Sequence, residues 1–388
     1  MSRVSIAKCD DYDQQVVNSA VAKVLADLGG IQGFAKSGQT VLLKPNFLGA
    51  KPPELAVTTH PAVMEAVALE VLRIGATPVI GDSPPYQGQN AHRYERLCEI
   101  TGARAVADRL GIEIVSLDHP WREIETGGKL FRKARIASAF LDADVVINLP
   151  KLKTHGITGL TGAVKNMFGC VPGLQKSQLH LRAREDREAF SQMIVDVFSG
   201  CRPTLNVMDA IVGMEGSGPS NGRPKNIGVV LASADAVALD SVAAEIVGMA
   251  PASIAHLRLA TEQGLGCLWP DGVEIVGEDL ESVSVSGFKP SPVVGKGISA
   301  MPAPLYRLLK SHFVAMPRVI KSKCVGCGDC VKVCAVAAME LKQESGRDKP
   351  LAEADLRGCI ACYCCDEACG YDAIDIRKGW LGKRKSTG

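Results

Sequence analysis

The sequence predicts an α/β protein, with a mainly parallel-sheet lobe at the N-terminus and a small α+β unit at the C-terminus. Three observations lead there. Before about residue 285, short β-branched runs alternate with longer helical patterns, the order expected when helices cover a parallel sheet. Nine of the fourteen cysteines fall between 324 and 369. Between these regions, residues 287–323 are rich in proline and glycine, as a linker is. The domains expected are 1–286, a linker over 287–318 and a small unit over 319–388.

Composition limits the classes of function. The 388 residues are 46% apolar and 22% charged, with 44 Lys plus Arg against 42 Asp plus Glu. A net charge of +2 gives no global field for nucleic acid or an acidic membrane. The longest apolar runs are well short of the roughly 18 residues of a membrane-spanning helix. The first residues, "MSRVSIAKCDDYDQQ", hold no apolar leader before their acidic cluster, so the expected location is cytoplasmic.

Within the lobe, "TVLLKPN" (40–46) and "ATPVIGDSP" (76–84) read as strands that end in loops. Between them "PAVMEAVALEVLRIG" reads as an amphipathic helix closed by Gly75. "DVVINLPK" (144–151), "TLNVMDAI" (204–211) and "NIGVVLASAD" (226–235) continue the series, the last leading into a helix capped by Asp235. Ligands of such sheets bind outside the carboxyl ends of the strands. At those ends stand Lys44 and Asn46, Asp82 and Ser83, then Lys151, Lys153 and His155, and then Asp209.

The densest of these loops is "NLPKLKTHGITGLTGAVKNMFG" (148–169). If the chain stays extended past Pro150, the alternating Lys151, Lys153 and His155 share one face. Gly156, Gly159 and Gly162 let backbone approach a ligand, and a helix carrying Lys165 and Asn166 would present free N–H groups at its start. Lysines, imidazole and a helix start together suit a carboxylate or phosphate. A solvated loop would explain the lysines but not the glycine spacing. No GxxxxGK[ST] or GxGxxG pattern is present, which disfavours ATP and nicotinamide cofactors.

A second polar segment, "MDAIVGMEGSGPSNGRPK" (208–225), reads as a lid or a tight ligand-contacting turn. Its Asp209 and Glu215 suit acid–base work or a divalent cation, and Asp209 equally suits a turn cap. His60 serves either as a loop hydrogen-bonder or as a site residue.

In the linker, "LYRLLKSHFVAM" reads as a short docking helix, with a membrane-surface helix as the alternative. The terminal "IRKGWLGKRKSTG" reads as a basic, solvated tail.

The C-terminal block reads "CVGCGDCVKVC" from Cys324 and "CIACYCCDEAC" from Cys359, each CxxCxxCxxxC and 35 residues apart. Two-residue spacers let one loop aim three sulfurs inward, and the fourth cysteine of each run serves the other cluster. This assigns Cys324, Cys327, Cys330 and Cys369 to one 4Fe-4S cluster, and Cys359, Cys362, Cys365 and Cys334 to a second. Zinc sites use paired CxxC units with longer separations, and a disulfide lattice is out of place in a reducing compartment. Cys364 is an extra thiol, either a bystander or a substitute ligand. Cys9, Cys98, Cys170, Cys201 and Cys267 lack ligand spacing and read as buried small hydrophobes.

On these motifs residues 319–377 resemble the bacterial two-cluster ferredoxins, which implies a ferredoxin-like α+β fold. The family's proline after the fourth cysteine is replaced here by Ala335 and Gly370. Over residues 2–285, "LLKPN", "TTHP", "GDSP", "LPKLKTHGITGLTGAVKN" and "DAIVGMEGSGP" resemble the domain-of-unknown-function family 362, whose members often carry such a C-terminal unit. That resemblance implies iron–sulfur binding and little further chemistry.

The leading expectation is an oxidoreductase, in which a redox partner such as ferredoxin or a reductase feeds two 4Fe-4S clusters that act on a small anion. Lys44, Asn46, Lys151, Lys153, Lys165, Asn166 and Glu215 would bind the ligand, and His155 would transfer a proton. Asp82 or Asp209 would orient His155 or a cation. A flavin or a further divalent metal stays open. The alternatives are a non-catalytic electron carrier or assembly subunit, and a metal-dependent enzyme with structural clusters.

Overall fold

The computed structural model describes residues 1–85, 90–183, 186–291, 312 and 314–377. The chain forms two compact units, one of residues 1–173 with 187–291 and the other of residues 174–186 with 292–388. The segment 174–186 thus groups with the C-terminal unit, although it lies far from it in sequence. Periodicity marks a helix but not the body it packs on. The docking-helix segment and the basic tail fall largely outside the described residues.

The first unit is built on a ten-stranded sheet. Its strands are β1 (Ser2–Lys8), β2 (Thr40–Lys44), β3 (Thr77–Asp82), β4 (Glu113–Ser116), β7 (Val145–Asn148), β8 (Lys151–His155), β9 (Gly159–Thr161), β10 (Leu205–Glu215), β11 (Arg223–Ser233) and β12 (Val273–Gly277). A separate hairpin joins β5 (Trp121–Glu125) to β6 (Lys133–Ala137). The main order is β12-β1-β11-β10-β7-β2-β3-β4, with β8 against β10 and β9 against β8. Most pairings are parallel; β11 runs antiparallel to both β1 and β10, and β9 to β8.

The parallel centre is apolar because helices cover it. All of β7 is buried, and so is most of helix Pro61–Arg73 and of helix Ala236–Ile246. Both helices start where the sequence signals a cap. Asp235 accepts from the amides of Val237 and Ala238, and His60, ahead of Pro61, accepts from Ala62 N. The core joins β2, β7 and β10 to helices Gln14–Asp27 and Pro61–Arg73.

One expectation is corrected here. The segment 208–225 is mostly strand: β10 runs to Glu215 and β11 starts at Arg223, so the turn shrinks to 216–222. The antiparallel ladder between them supplies backbone hydrogen bonds that outweigh the glycine and proline content, with a bulge between Ala210 and Val212 absorbing the irregularity. Asp209 therefore lies within a strand, and its Oδ1 accepts from Ile211 N at 3.4 Å beside the bulge, a local turn-capping contact.

The second unit holds β13 (Met316–Val319), β14 (Met339–Lys342), β15 (Leu351–Ala354) and β16 (Ile374–Arg377), paired β13 with β16 and β14 with β15. Among the described residues, no helix is long and apolar enough to cross a membrane.

Candidate functional site

At the carboxyl edge of the sheet, the sequence-predicted residues meet as internal pairs. The Lys44 ammonium, at the end of β2, is 2.8 Å from Asp82 Oδ1 at the end of β3. Asp82 Oδ2 also accepts from Phe47 N at 2.6 Å. Lys151, at the start of β8, is 2.8 Å from Asp209 Oδ2, and neither side chain is exposed. Taking two charges out of water costs more than an isolated pair returns, so such pairs need further hydrogen bonds. Tyr12 supplies them: its hydroxyl accepts from Lys151 Nζ at 2.7 Å and donates to Asp209 Oδ1 at 2.8 Å.

Tyr12 also stacks on His60, with ring centroids 3.6 Å apart. His60 N donates to Asp209 Oδ2 at 2.9 Å, which fixes the loop before helix Pro61–Arg73 onto the ion pair. Burial, together with the Lys151 charge, brings His60 down to about 4 against the opposing pull of Asp209. Burial likewise lowers Lys151, opposed by Asp209, and raises Tyr12, assisted by Asp209. The cluster is therefore a charge-compensated anchor with His60, half-buried, on its outer side.

A second network starts at Lys153. Its ammonium donates to Asn46 Oδ1 at 2.7 Å and to Val57 O at 2.6 Å. Asn46 then donates to Asn166, Asn166 to Asn148, Asn148 to Asn206, and Asn206 to the carbonyl of Ser233. The bonds all run in one sense away from a cation, so each polarises the next. This chain of amides threads from the loop after β2 through β7 and β10 to β11.

The start of helix Ala163–Asn166 departs from expectation. Its first amides are not free: Asp240, fully buried, accepts from Ala163 N at 2.5 Å and Val164 N at 3.0 Å. A carboxylate on a covering helix does here what an external anion was expected to do. Burial is the main force pushing Asp240 up to about 7, and the two amides pull against it.

Of the remaining predicted residues, His155 ends β8 buried, and its Nδ1 accepts from Ile157 and Thr158 amides. Glu215, at the end of β10, accepts from Lys289 N at 2.9 Å. Lys165 is half-buried, and its charge adds to burial in lowering His256 to about 3. Ser83 donates to Asp118 at 2.8 Å.

Sequence reasoning missed Tyr12, Asn148, Asn206 and Asp240. For the two asparagines a signal existed, an amide within an otherwise apolar strand. For Tyr12 none did, because its partner Asp209 lies 197 residues away.

In the second unit the 35-residue offset of the cysteine runs recurs in the backbone. Helix Asp329–Lys332 recurs as Cys364–Glu367, and β13 and β14 recur as β15 and β16. Left-handed residues recur too, at Gly326 and Ala361, Gly328 and Tyr363, and Ala337 and Asp372. Non-glycine residues in that region are strained and persist only where the surroundings hold them. Here they turn amides onto sulfur: Ala338 N donates to Cys334 Sγ at 3.1 Å and Ala373 N to Cys369 Sγ at 3.3 Å.

Cys324, Cys327, Cys330 and Cys369 line one recess that opens to solvent, walled by Val319, Ala352 and Ile374. Burial, then the neighbouring Cys327, Cys369 and Cys324, pushes Cys330 up to about 12. Cys365 is raised well above the ordinary thiol value by burial, and then by the charges of Cys362 and Cys359. Among the described residues, no group of three or more His, Cys, Asp or Glu side chains is arranged to hold a metal ion. The extra Cys364 is buried and hydrogen-bonded to Cys362. Of the five cysteines of the lobe, four are buried and Cys267 is half-buried.

Part of the chain is similar to known proteins. The thylakoid-associated protein sll1697 of Synechocystis is 36% identical over 262 residues, 68% of this chain and 79% of that protein. Among solved structures, the lactate racemase apoprotein of Thermoanaerobacterium thermosaccharolyticum overlaps 63% of this chain and 56% of its own, at 12% identity and a TM-score of 0.40. A Thermotoga maritima protein overlaps 66% of this chain and 60% of its own, at 9% identity and a TM-score of 0.37. The family described as domain of unknown function DUF362 matches residues 41–245, more than half of the chain, and this protein belongs to it.

Proposed function

We propose that this chain is an iron–sulfur electron-transfer protein. Cys324, Cys327, Cys330 and Cys369 would hold one 4Fe-4S cluster, and Cys359, Cys362, Cys365 and Cys334 a second. The observation that carries the reading is the recess ringed by the first four thiols, three from one loop and one from the other repeat. The residues suit the group: four thiols face an apolar wall, and backbone amides already point at Cys324, Cys334, Cys359 and Cys369 sulfur. When bound, such clusters supply one-electron storage and transfer.

The reaction served is proposed to be a redox change of a small carboxylate- or phosphate-bearing ligand at the carboxyl edge of the sheet. Lys153, His155 and Lys165 are the side chains assigned to it. Lys44 and Lys151 are assigned instead to holding that edge together, since Asp82 and Asp209 take up their charge.

Oxygen-free purification with iron and sulfide analysis is the test. About eight irons per chain are expected, with paramagnetic signals on reduction by dithionite, and about four after Cys324→Ala. An iron-free wild-type protein sinks the reading. For the ligand, calorimetry with a panel of carboxylates and phosphates is expected to show binding that Lys153→Ala weakens at least tenfold, about 1.4 kcal/mol.

A further inference from the structure

The loop before helix Pro61–Arg73 is fastened at both ends by charged side chains of the sheet. The Val57 carbonyl accepts from the Lys153 ammonium at 2.6 Å. The His60 backbone N–H donates to Asp209 Oδ2 at 2.9 Å. Between them, Thr59 Oγ1 donates to Leu149 O at 2.6 Å and accepts from Asn46 N at 2.8 Å. Even fully extended, residues 57–60 span no more than about 11 Å, and the chain bends at Val57 and Thr58. Lys153 and His60 therefore belong to one short rim.

The His60 ring is held as firmly as its backbone. Its Nδ1 accepts from Ala62 N at 3.2 Å, and its face lies on Tyr12, with ring centroids 3.6 Å apart and planes 14° from parallel. Tyr12 is itself fixed by Lys151 and Asp209. A neutral imidazole whose Nδ1 accepts carries its proton on Nε2. Burial, then the Lys151 charge, outweigh Asp209 and Glu54 and keep the ring neutral near pH 7. Among the described residues, nothing accepts a hydrogen bond from Nε2. His60 is half-buried, whereas His155 is 3% exposed and spends its Nδ1 on two amides. On the same loop, Thr58 is fully buried and its hydroxyl has no partner among the described residues. A hydroxyl left so is a cost that a ligand or an ordered water removes.

We infer that residues 57–60 form one wall of the anion site and that His60 is a ligand-binding residue, its Nε2–H donating to an oxygen of the carboxylate or phosphate that Lys153 attracts. This rests on the ligand reading above and is independent of the clusters. The positive charge comes from Lys153, so a neutral ring suffices as the donor. Tyr12 and Asp209 are positioning residues, one setting the plane of the ring and the other the backbone that carries it.

The test is a titration of the oxidised full-length protein, isotope-labelled in its seven histidines, with inorganic phosphate and separately with acetate at neutral pH. Imidazole resonances are the readout. His60, assigned by its absence from the spectrum of His60→Asn, is expected as the neutral Nε2–H form, with a signal that moves saturably. The probe that moves it tells phosphate from carboxylate. His60→Asn, which keeps an acceptor for Ala62 N, is expected to bind that probe about two- to tenfold more weakly, the effect of one ordinary hydrogen bond. Should that variant not fold, His60→Gln provides the assignment and the wild-type titration decides. A proton on Nδ1 in the free protein overturns the inference and leaves the ligand reading standing. So does a probe whose binding Lys153→Ala weakens while the His60 signal stays in place. Wild type that binds neither probe overturns both.

Discussion

Lys151 and Asp209 sit on neighbouring parallel strands with their charged atoms 2.8 Å apart and no exposure of either side chain. Breaking a buried pair leaves the surviving charge uncompensated, at a cost of about 3 to 5 kcal/mol. Lys151→Met and Asp209→Asn should each lower the urea midpoint accordingly, and the double replacement Lys151→Met with Asp209→Leu should recover a good part of the loss. Two single effects that simply add would show that the pair is not coupled.

The amide chain should be as sensitive at its middle as at its charged end. Asn166 bonds to Asn46 and Asn148 at once, so Asn166→Leu strands partners on both sides. Each stranded group costs about 1 to 3 kcal/mol. Thermal or urea unfolding should show this loss, and unchanged stability would mean that water replaces the amide without cost.

Gly162 is expected to accept no side chain. A Cβ there would overlap the Asp240 carboxylate that holds the amides of Ala163 and Val164. Gly162→Ala should destabilise by about 1 to 3 kcal/mol, and hydrogen exchange at Ala163 and Val164 should speed up. Exchange as slow as in wild type would show that another acceptor holds these amides.

Acid should weaken the lobe in a defined window. His60 and His256 are lowered from about 6.5 to about 4 and about 3, in both cases chiefly by burial. For these two groups the unfolded chain binds more protons than the folded one in that window, so their contribution is complete above about 6.5 and is lost as pH drops towards 4 and then 3, while Asp240, pushed up to about 7, acts in the opposite sense. His60→Asn keeps a capping side chain before Pro61 but removes one titrating group, so its stability should fall less steeply over this range. An identical pH slope in wild type and variant would exclude His60 from the effect.

The exchange of fourth ligands between the cysteine loops has its own signature. Cys334→Ala should perturb the cluster of Cys359, Cys362 and Cys365, and Cys369→Ala that of Cys324, Cys327 and Cys330. Titration of each variant reads which potential disappears. Loss of the cluster of its own loop in either variant would refute the exchange.

Much of the architecture was legible from local pattern. Alternating apolar runs and helices marked the sheet, and Asp235 and Gly75 stood where a cap and a helix end were expected, since these signals depend on neighbours a few residues away. The limit shows at 208–225, where glycine and proline suggested a loop and a partner strand made most of it a ladder.

By itself, the sequence determined the duplicated cysteine loops, where most of the main strands lie along the chain, and that Lys44 and Asp82 end two of them, because spacing and periodicity are properties of short stretches of chain. Only the tertiary structure decided that Lys44 and Lys151 are neutralised by Asp82 and Asp209, that Tyr12 completes the second pair, and that Asp240 occupies the amides at Ala163 and Val164. The reason is physical: whether a buried charge is available or spent depends on the groups within about 4 Å of it, and here those groups are brought from positions 38 to 197 residues distant.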